Sequence, residues 1–533
     1  MSEKEYIVIL NKDVDYDQFN TEMIAETGEG AIPGRTVGIA NARPGSYRMT
    51  HYNLTDEEVT ALKLDDRVYD IHIPPEDNPD LVIEHKATQT GNFRKTSSIT
   101  ASELPWTIGR SINNADPWGS GVTNYNGTYN YTLTGKGVDV VIQDGGVDFD
   151  DVEFTDENGV SRCVELDWYT ASGTAGTMPA NHYLDYDGHG SHVAGTACGR
   201  TVGWARGSAI YSQKIAGLTG SEGGGISPSV AFDQIKLWHR AKPVDPATGY
   251  KRPTIVNMSW GYLLYYNTVT SLTFRGTTHT DTNTTQEPNN NYRYQNYGLV
   301  PLSGAAAGQN YKMNNRVSSV DVDLQELIDE GVHVCVAAGN KYHKVDRSGG
   351  TDWNNLVVTN NGSEYYHRGS SPAGPDAILV GNMDITYQGG LEHKAESSEC
   401  GPGVDIYAPG TNIFSVSSTD NAANTNDIQA SGPSRVQNAL DANSYLMKIS
   451  GTSMASPSVC GMLACVLELY PWMTPAELKQ WMIDKSTPGL LYEGATDDFD
   501  DQDSIQGGNN RIAYMPFQRS KPIVMTNITL RNS

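Results

Sequence analysis

The chain has 533 residues and a formal net charge of −25, long enough for roughly two or three domains. The acidic balance argues against a nucleic-acid or anionic-membrane partner, and no apolar run reaches the roughly 18 residues of a membrane-spanning helix. Six cysteines in this length, none in a Cys-x-x-Cys pair, suggest neither a disulfide scaffold nor a zinc site, and they are read as free thiols.

Residues 1–77 read as a small α+β unit. Tyr6 to Leu10 is an apolar strand, Asp15 to Glu26 a helix, and Thr55 to Leu62 a second helix that opens on a capping box, Thr55 with Glu58. Arg67 to Ile73 would close the unit as a strand. The prolines at 74, 75 and 79 mark a boundary, and 78–102 reads as a polar linker. The first ten residues lack a basic segment followed by a signal-length apolar stretch. The expectation is therefore a cytoplasmic or virion-associated protein rather than a conventionally secreted one.

From about residue 103 strands and helices alternate as in a parallel α/β sheet, continuing to 515 with a tail over 516–533. Val138 to Gln143 is a mostly apolar strand that delivers Asp144 at its C-terminal end, where ligands of open α/β sheets gather. Asp144-Gly145-Gly146 is equally an ordinary turn signal. His189 begins the next helix. His182, Asp185, Asp187, His189 and His192 crowd this stretch; such a group could hold zinc, but Gly190 between the histidines argues otherwise, and no metal ligand is assigned.

The glycine-rich stretch 220–227 lacks a phosphate-binding pattern and is followed by a helix, Pro228 to Ala241. Ile255 to Gly261 is a buried strand. Residues from 262 to about 318, rich in Tyr, Asn and Thr, read as a functional surface or mobile loop. Asp321 to Glu330 is a helix, and Val332 to Asn340 a buried strand ending in Gly339-Asn340. A second polar segment spans about 417–443. Gly451-Thr452-Ser453-Met454-Ala455-Ser456-Pro457 then leads into a run apolar on all sides, a buried helix with Pro457 in its first turn. Ser453 at such a helix start gains orphan N–H groups and the positive end of the dipole, which favour a developing oxyanion. The acidic run 497–503 lacks the glycine and final glutamate of an EF-hand; a solvated loop is expected, with calcium the alternative.

Val140 to Gly146, Asp187 to Thr196 and Gly451 to Pro457 resemble the aspartate, histidine and serine motifs of the subtilisin-like (S8) serine peptidases, in that family's chain order. The short link 199–205 is nearer the proteinase K branch. The resemblance implies a three-layer α/β fold with a mostly parallel central sheet over 103–515, preceded by a small α+β propeptide domain similar to inhibitor I9, with processing between Asp77 and Glu103. It implies a triad of Asp144, His189 and Ser453, an oxyanion hole served by Asn340, and substrate binding along Ser259, Trp260 and Gly261. Gly369 would form the floor of the pocket for the side chain before the scissile bond (P1), leaving room for a large apolar group.

The activity implied is that of a self-maturing serine endopeptidase acting on protein or peptide substrates through an acyl-enzyme, with its own propeptide as partner. No cofactor is required for that chemistry. A structural calcium ion is left open, and Glu153 falls at one of the family's calcium carboxylates, although the loop after Cys198 is short for that site. Two departures stand out: Gly145 where the family more often has Ser or Thr, and Ser458 where it commonly has His. The alternative is a structural or binding component, such as part of a phage virion, built on a peptidase scaffold with the insertions as contact surfaces. The complete triad argues against it.

Overall fold

In the computed structural model, described over residues 3–25, 35–41, 48–74, 87–100, 102–215, 224–246, 248–266, 269–279, 291–300, 311–359, 362–420, 435–496 and 498–517, the chain divides into two units, 1–85 with 521–533 and 86–520. The first unit runs β1 (Lys4–Leu10), α1 (Tyr16–Ile24), β2 (Gly38–Asn41), β3 (Met49–Leu54), α2 (Asp56–Leu62) and β4 (Val68–His72). Its strands form an antiparallel sheet in the order β2-β3-β1-β4, and Val8, Leu10, Phe19, Tyr52, Leu54 and Leu62 make its core. The capping box forms as read: Thr55 accepts from the Glu58 backbone and Glu58 reaches back to Thr55, satisfying two orphan donors of α2.

The expected linker over 78–102 requires correction. Its second half is β5 (Ala87–Arg94), paired in parallel with β6 (Glu103–Pro105) and antiparallel along its length with β7 (Asn124–Tyr131). The polar stretch is held by pairing and by a buried ammonium. Lys448 Nζ donates to the carbonyls of Arg94, Thr96 and Ser98 and ion-pairs with Glu103.

After α3 (Trp106–Ser111), the framework follows as β8 (Asp139–Asp144), α4 (Trp168–Ser172), α5 (His189–Cys198), β9 (Ala209–Lys214), α6 (Pro228–Ala241) and β10 (Thr254–Met258). The first insertion carries β11 (Leu263–Tyr266), β12 (Val269–Phe274), β13 (Thr277–His279), α7 (Asn291–Tyr297) and β14 (Tyr311–Asn314). Then come α8 (Ser318–Asp329), β15 (His333–Ala337), β16 (Leu356–Thr359), β17 (Gly362–Tyr365), β18 (Ile378–Gln388), β19 (Leu391–Lys394) and β20 (Ile406–Pro409). The chain continues through β21 (Ile413–Ser417), β22 (Arg435–Gln437), β23 (Tyr445–Ile449), α9 (Thr452–Leu469), α10 (Pro475–Lys485), β24 (Thr487–Pro488) and β25 (Arg511–Ile512).

The central sheet has the order β24-β25-β20-β18-β15-β10-β8-β9 with β19 hairpinned onto β18. Its ladders are parallel from β25 to β9. Strand alternation divides the apolar residues between two helical layers. Val140, Ile142, Ile255 and Cys335 face the core that contains α5 and α9, whereas Val141, Val256, Met258, Val334 and Val336 face α6 and α8. The three-layer α/β fold is therefore present.

The first insertion is more than a polar loop. β11 pairs with β14, opposing Leu263 to Asn314, while β13, β12, β16 and β17 form a separate sheet. Val269, Leu272, Leu299, Tyr311, Met313, Val357 and Tyr366 pack a small core of their own. Of the second insertion, Ser417 closes β21, 435–437 form β22 and 421–434 lie outside the described residues. The first half of the glycine-rich stretch 220–227 and most of the tail 516–533 also lie outside them.

Candidate active site

Because β8, β10 and β15 are adjacent and parallel, their C-terminal ends lie side by side, the place where such sheets gather functional groups. β8 ends at Asp144, buried at 1 % exposure. Its Oδ1 accepts from His189 Nδ1 at 2.8 Å and from the Gly145 N–H at 2.7 Å. The neutral ring then carries its proton on Nδ1 and leaves Nε2 as an acceptor. Asp144 Oδ2 is buried with no hydrogen-bond partner among the described residues. This is the expected consequence of a glycine at 145, which brings no hydroxyl.

His189 opens α5. Its backbone N–H donates to Asp187 Oδ1, and the Asp185 carboxylate accepts from the Gly188 and Ser191 N–H groups, so two acidic side chains cap the positive end of the helix. Gly190 is required by close approach: a Cβ there would lie 1.9 Å from the Gly146 carbonyl oxygen. Burial disfavours the charged His189 ring, but the charge and hydrogen bond of Asp144, with Asp187 and Asp185, outweigh it and raise His189 to about 9.

The other two histidines of this stretch serve the fold. His182 bonds the Gly224 carbonyl and the Lys214 N–H, while His192 Nε2 lies against the Ile413 and Met447 carbonyls. Glu153 is buried and committed to the Thr201 N–H and hydroxyl and to Asn438 Nδ2. Ser458 accepts from Trp204 Nε1 and shares a 2.6 Å hydrogen bond with the Thr107 hydroxyl.

Ser453 is half-buried between fully buried neighbours at the start of α9, and its hydroxyl donates to the Ser259 carbonyl at 3.4 Å. Pro457 is not in the first turn, as expected from the sequence, but inside the helix. Lacking an N–H, it frees the carbonyl of Ser453, four residues back. The Ser259 hydroxyl donates to that carbonyl at 3.1 Å and accepts from Asn257 Nδ2 at 2.9 Å. Asn257 Oδ1 accepts in turn from Ser456. The helix start is thus tied to the end of β10.

Asn340 follows β15. Its Oδ1 accepts from both the backbone N–H and the hydroxyl of Thr452, at 2.9 and 3.0 Å, and the Gly339 N–H donates to the same hydroxyl. With the oxygen engaged, the Nδ2 donors are left to face elsewhere.

β10 and β15 remain paired up to Met258 and Val336 and then part. A cavity of about 150 Å³ lies there, lined by Ser259, Trp260, Gly261, Asn340 and Ser453 among others. Gly369 is not among its lining residues; it borders a different, larger cavity, and Ser370 lines the pocket instead. The reason is local: Gly369 adopts a left-handed φ of 73° and lies against Val345, while Ser370 Oγ folds back onto the backbone of Tyr262.

Thr452, Asn257 and Ser370 are participants that sequence reasoning misses. Asn257, a polar residue within the buried run Ile255–Met258, carries a signal; the others carry none.

The family model described as "Subtilase family" matches residues 135–510, which include all four of Asp144, His189, Asn340 and Ser453. The chain belongs to the subtilase family. It is 26 % identical over 366 residues to the "Extracellular serine proteinase" of Thermus sp., covering 68 % of this chain and 59 % of that protein. It is 26 % identical over 407 residues to "Alkaline protease 1" of Aspergillus clavatus, covering 75 % and 67 %. The chain thus spans less than two thirds of the Thermus relative. Among solved structures, a cold adapted subtilisin-like serine proteinase aligns with a TM-score of 0.44 and 20 % identity, covering 78 % of this chain and 99 % of that one. The expected cytoplasmic or virion-associated location is overturned by a relative named as an extracellular proteinase.

Proposed function

We propose that this subtilase is a serine endopeptidase in which His189 is the general base, Asp144 its orienting partner and Ser453 the nucleophile. The 2.8 Å hydrogen bond from His189 Nδ1 to Asp144 carries this reading. Deprotonated His189 Nε2 takes the proton of Ser453 Oγ as the hydroxyl turns from the Ser259 carbonyl, and Oγ attacks the substrate carbonyl carbon. Asn340 Nδ2, aimed by Thr452, donates to the developing oxyanion; in subtilisin, from which the magnitude is taken, loss of one such donor costs roughly 10²–10³ in rate. His189 then gives its proton to the leaving amine as the C–N bond breaks. Water, deprotonated by His189, displaces Ser453 from the acyl-enzyme and restores both groups.

The backbone of Trp260 and Gly261, beyond the β10 ladder and unpaired among the described residues, supports extended substrate binding by strand addition. The unit over 1–85 serves in this reading as a propeptide, removed by a cut N-terminal to β5.

The test is fluorophosphonate labelling of wild type and Ser453→Ala, with intact mass measured on each. Labelling at Ser453, together with loss of the N-terminal unit in wild type alone, is the expected result. Labelling without mass loss would refute self-maturation, and no labelling in a form lacking the N-terminal unit would refute the peptidase reading.

A further inference from the structure

The pocket beside Ser453 is built partly by the first insertion. β11 and β14 place Leu263 and Asn314 opposite one another, and both line the cavity. Asn314 is 7 % exposed, and its Nδ2 donates to Glu399 Oε1 at 2.7 Å. Glu399 is fully buried, and its other oxygen accepts from the Lys341 and His343 N–H groups. A carboxylate held by N–H donors can only accept, so it fixes which end of the Asn314 amide faces it. The amide nitrogen is turned to Glu399, and among the described residues no donor reaches Asn314 Oδ1.

We propose that Asn314 is the specificity-determining residue of this pocket and that the pocket takes a neutral P1 side chain ending in an N–H donor, as in glutamine. The inference rests on the serine peptidase reading above. Polarity and charge each contribute. The cavity of about 150 Å³ is lined by Asn314, and size does not select among side chains there, since a cavity of that volume holds a benzene ring. Its free acceptor rewards a donor and penalises an apolar chain that leaves the acceptor desolvated and unpaired. Lys341 lines the same cavity and opposes a cationic P1 side chain. Glu399 behind Asn314 opposes an anionic one. The large apolar P1 group expected from Gly369 is replaced by this reading.

The experiment compares kcat/KM for fluorogenic peptides identical except at P1, with Gln, Met, Phe or Lys, on wild type and Asn314→Leu. Fluorophosphonate labelling of Ser453 is measured alongside. Gln and Met are close in size and differ in the donor. Wild type is expected to favour Gln over Met by about tenfold or more, and over Phe and Lys as well. In Asn314→Leu the Gln-to-Met ratio should fall by about the same factor while labelling persists. Met equal to or better than Gln in wild type overturns the proposal, as does an unchanged ratio in a labelled Asn314→Leu. Should that variant fail to label, the wild-type Gln-against-Met comparison decides by itself. Absence of labelling in wild type would instead remove the peptidase reading and this inference with it.

Discussion

Ser259 offers the sharpest quantitative test of how Ser453 is held. Its hydroxyl serves two groups: the Ser453 carbonyl left free by Pro457 and the side-chain amide of the buried Asn257. Ser259→Ala strips both. At about 1 kcal/mol for each polar group left unpaired, the expected loss is about 2 kcal/mol. Pro457→Ala supplies the missing helical N–H to the Ser453 carbonyl, so in that background Ser259→Ala should cost only about 1 kcal/mol, a coupling of about 1 kcal/mol. The cycle is best run on Ser453→Ala protein, which keeps the carbonyl and removes any self-digestion. Urea unfolding followed by tryptophan fluorescence reports the right unit, since all nine tryptophans lie between residues 106 and 481. Equal costs in the two backgrounds, with unchanged m values, would refute the claim that Ser259 compensates for Pro457.

The elevated His189 predicts an alkaline activity limb: the ring must be neutral to take the Ser453 proton, so kcat/KM should rise with pH on a limb centred near 9, and a limb near 6.5 would contradict the geometry. Because the folded pKa lies above the unfolded one, the associated stability is fully present below about pH 6.5 and is lost as pH rises through about 9. Asp144→Asn should lower the His189 pKa, as read by NMR. Lys394 is nearly fully buried, and the three N–H groups of its ammonium are shared among the carbonyls of Ala395, Glu396, Ser398 and Gln502. Lys394→Met should therefore cost about 3 kcal/mol or more in the same fluorescence assay; a loss below about 1 kcal/mol would mean that water replaces the ammonium.

The strands and helices that carry the proposed triad can be read because apolar runs of the right length fix both the element and its face. Asp144 at the end of one such run and Ser453 at the head of another are local facts. The pocket is different. Whether Gly369 or Ser370 lines it depends on how a loop folds back on Tyr262, and Asn314 reaches it only because the insertion returns through β14. The stretch 87–94 reads as linker because its residues are polar. They are kept in the sheet by pairing to β7, a non-local partner that composition does not reveal.

Residues that break local rules give the firmest link between sequence and site. A proline inside a helix, an asparagine inside an apolar strand and two serines in tightly packed positions would each count against a fold if met alone. Here the defects match. Pro457 removes a donor, Ser259 replaces it, Asn257 donates to that serine, and Ser456 closes the set on Asn257. No member is satisfied without the next, so the start of α9 has one low-energy register against the end of β10. That register puts Ser453 beside the Ser259 carbonyl, at the mouth of the slot between the parting strands. The position of Ser453 follows from satisfying buried polar groups as well as from helix packing.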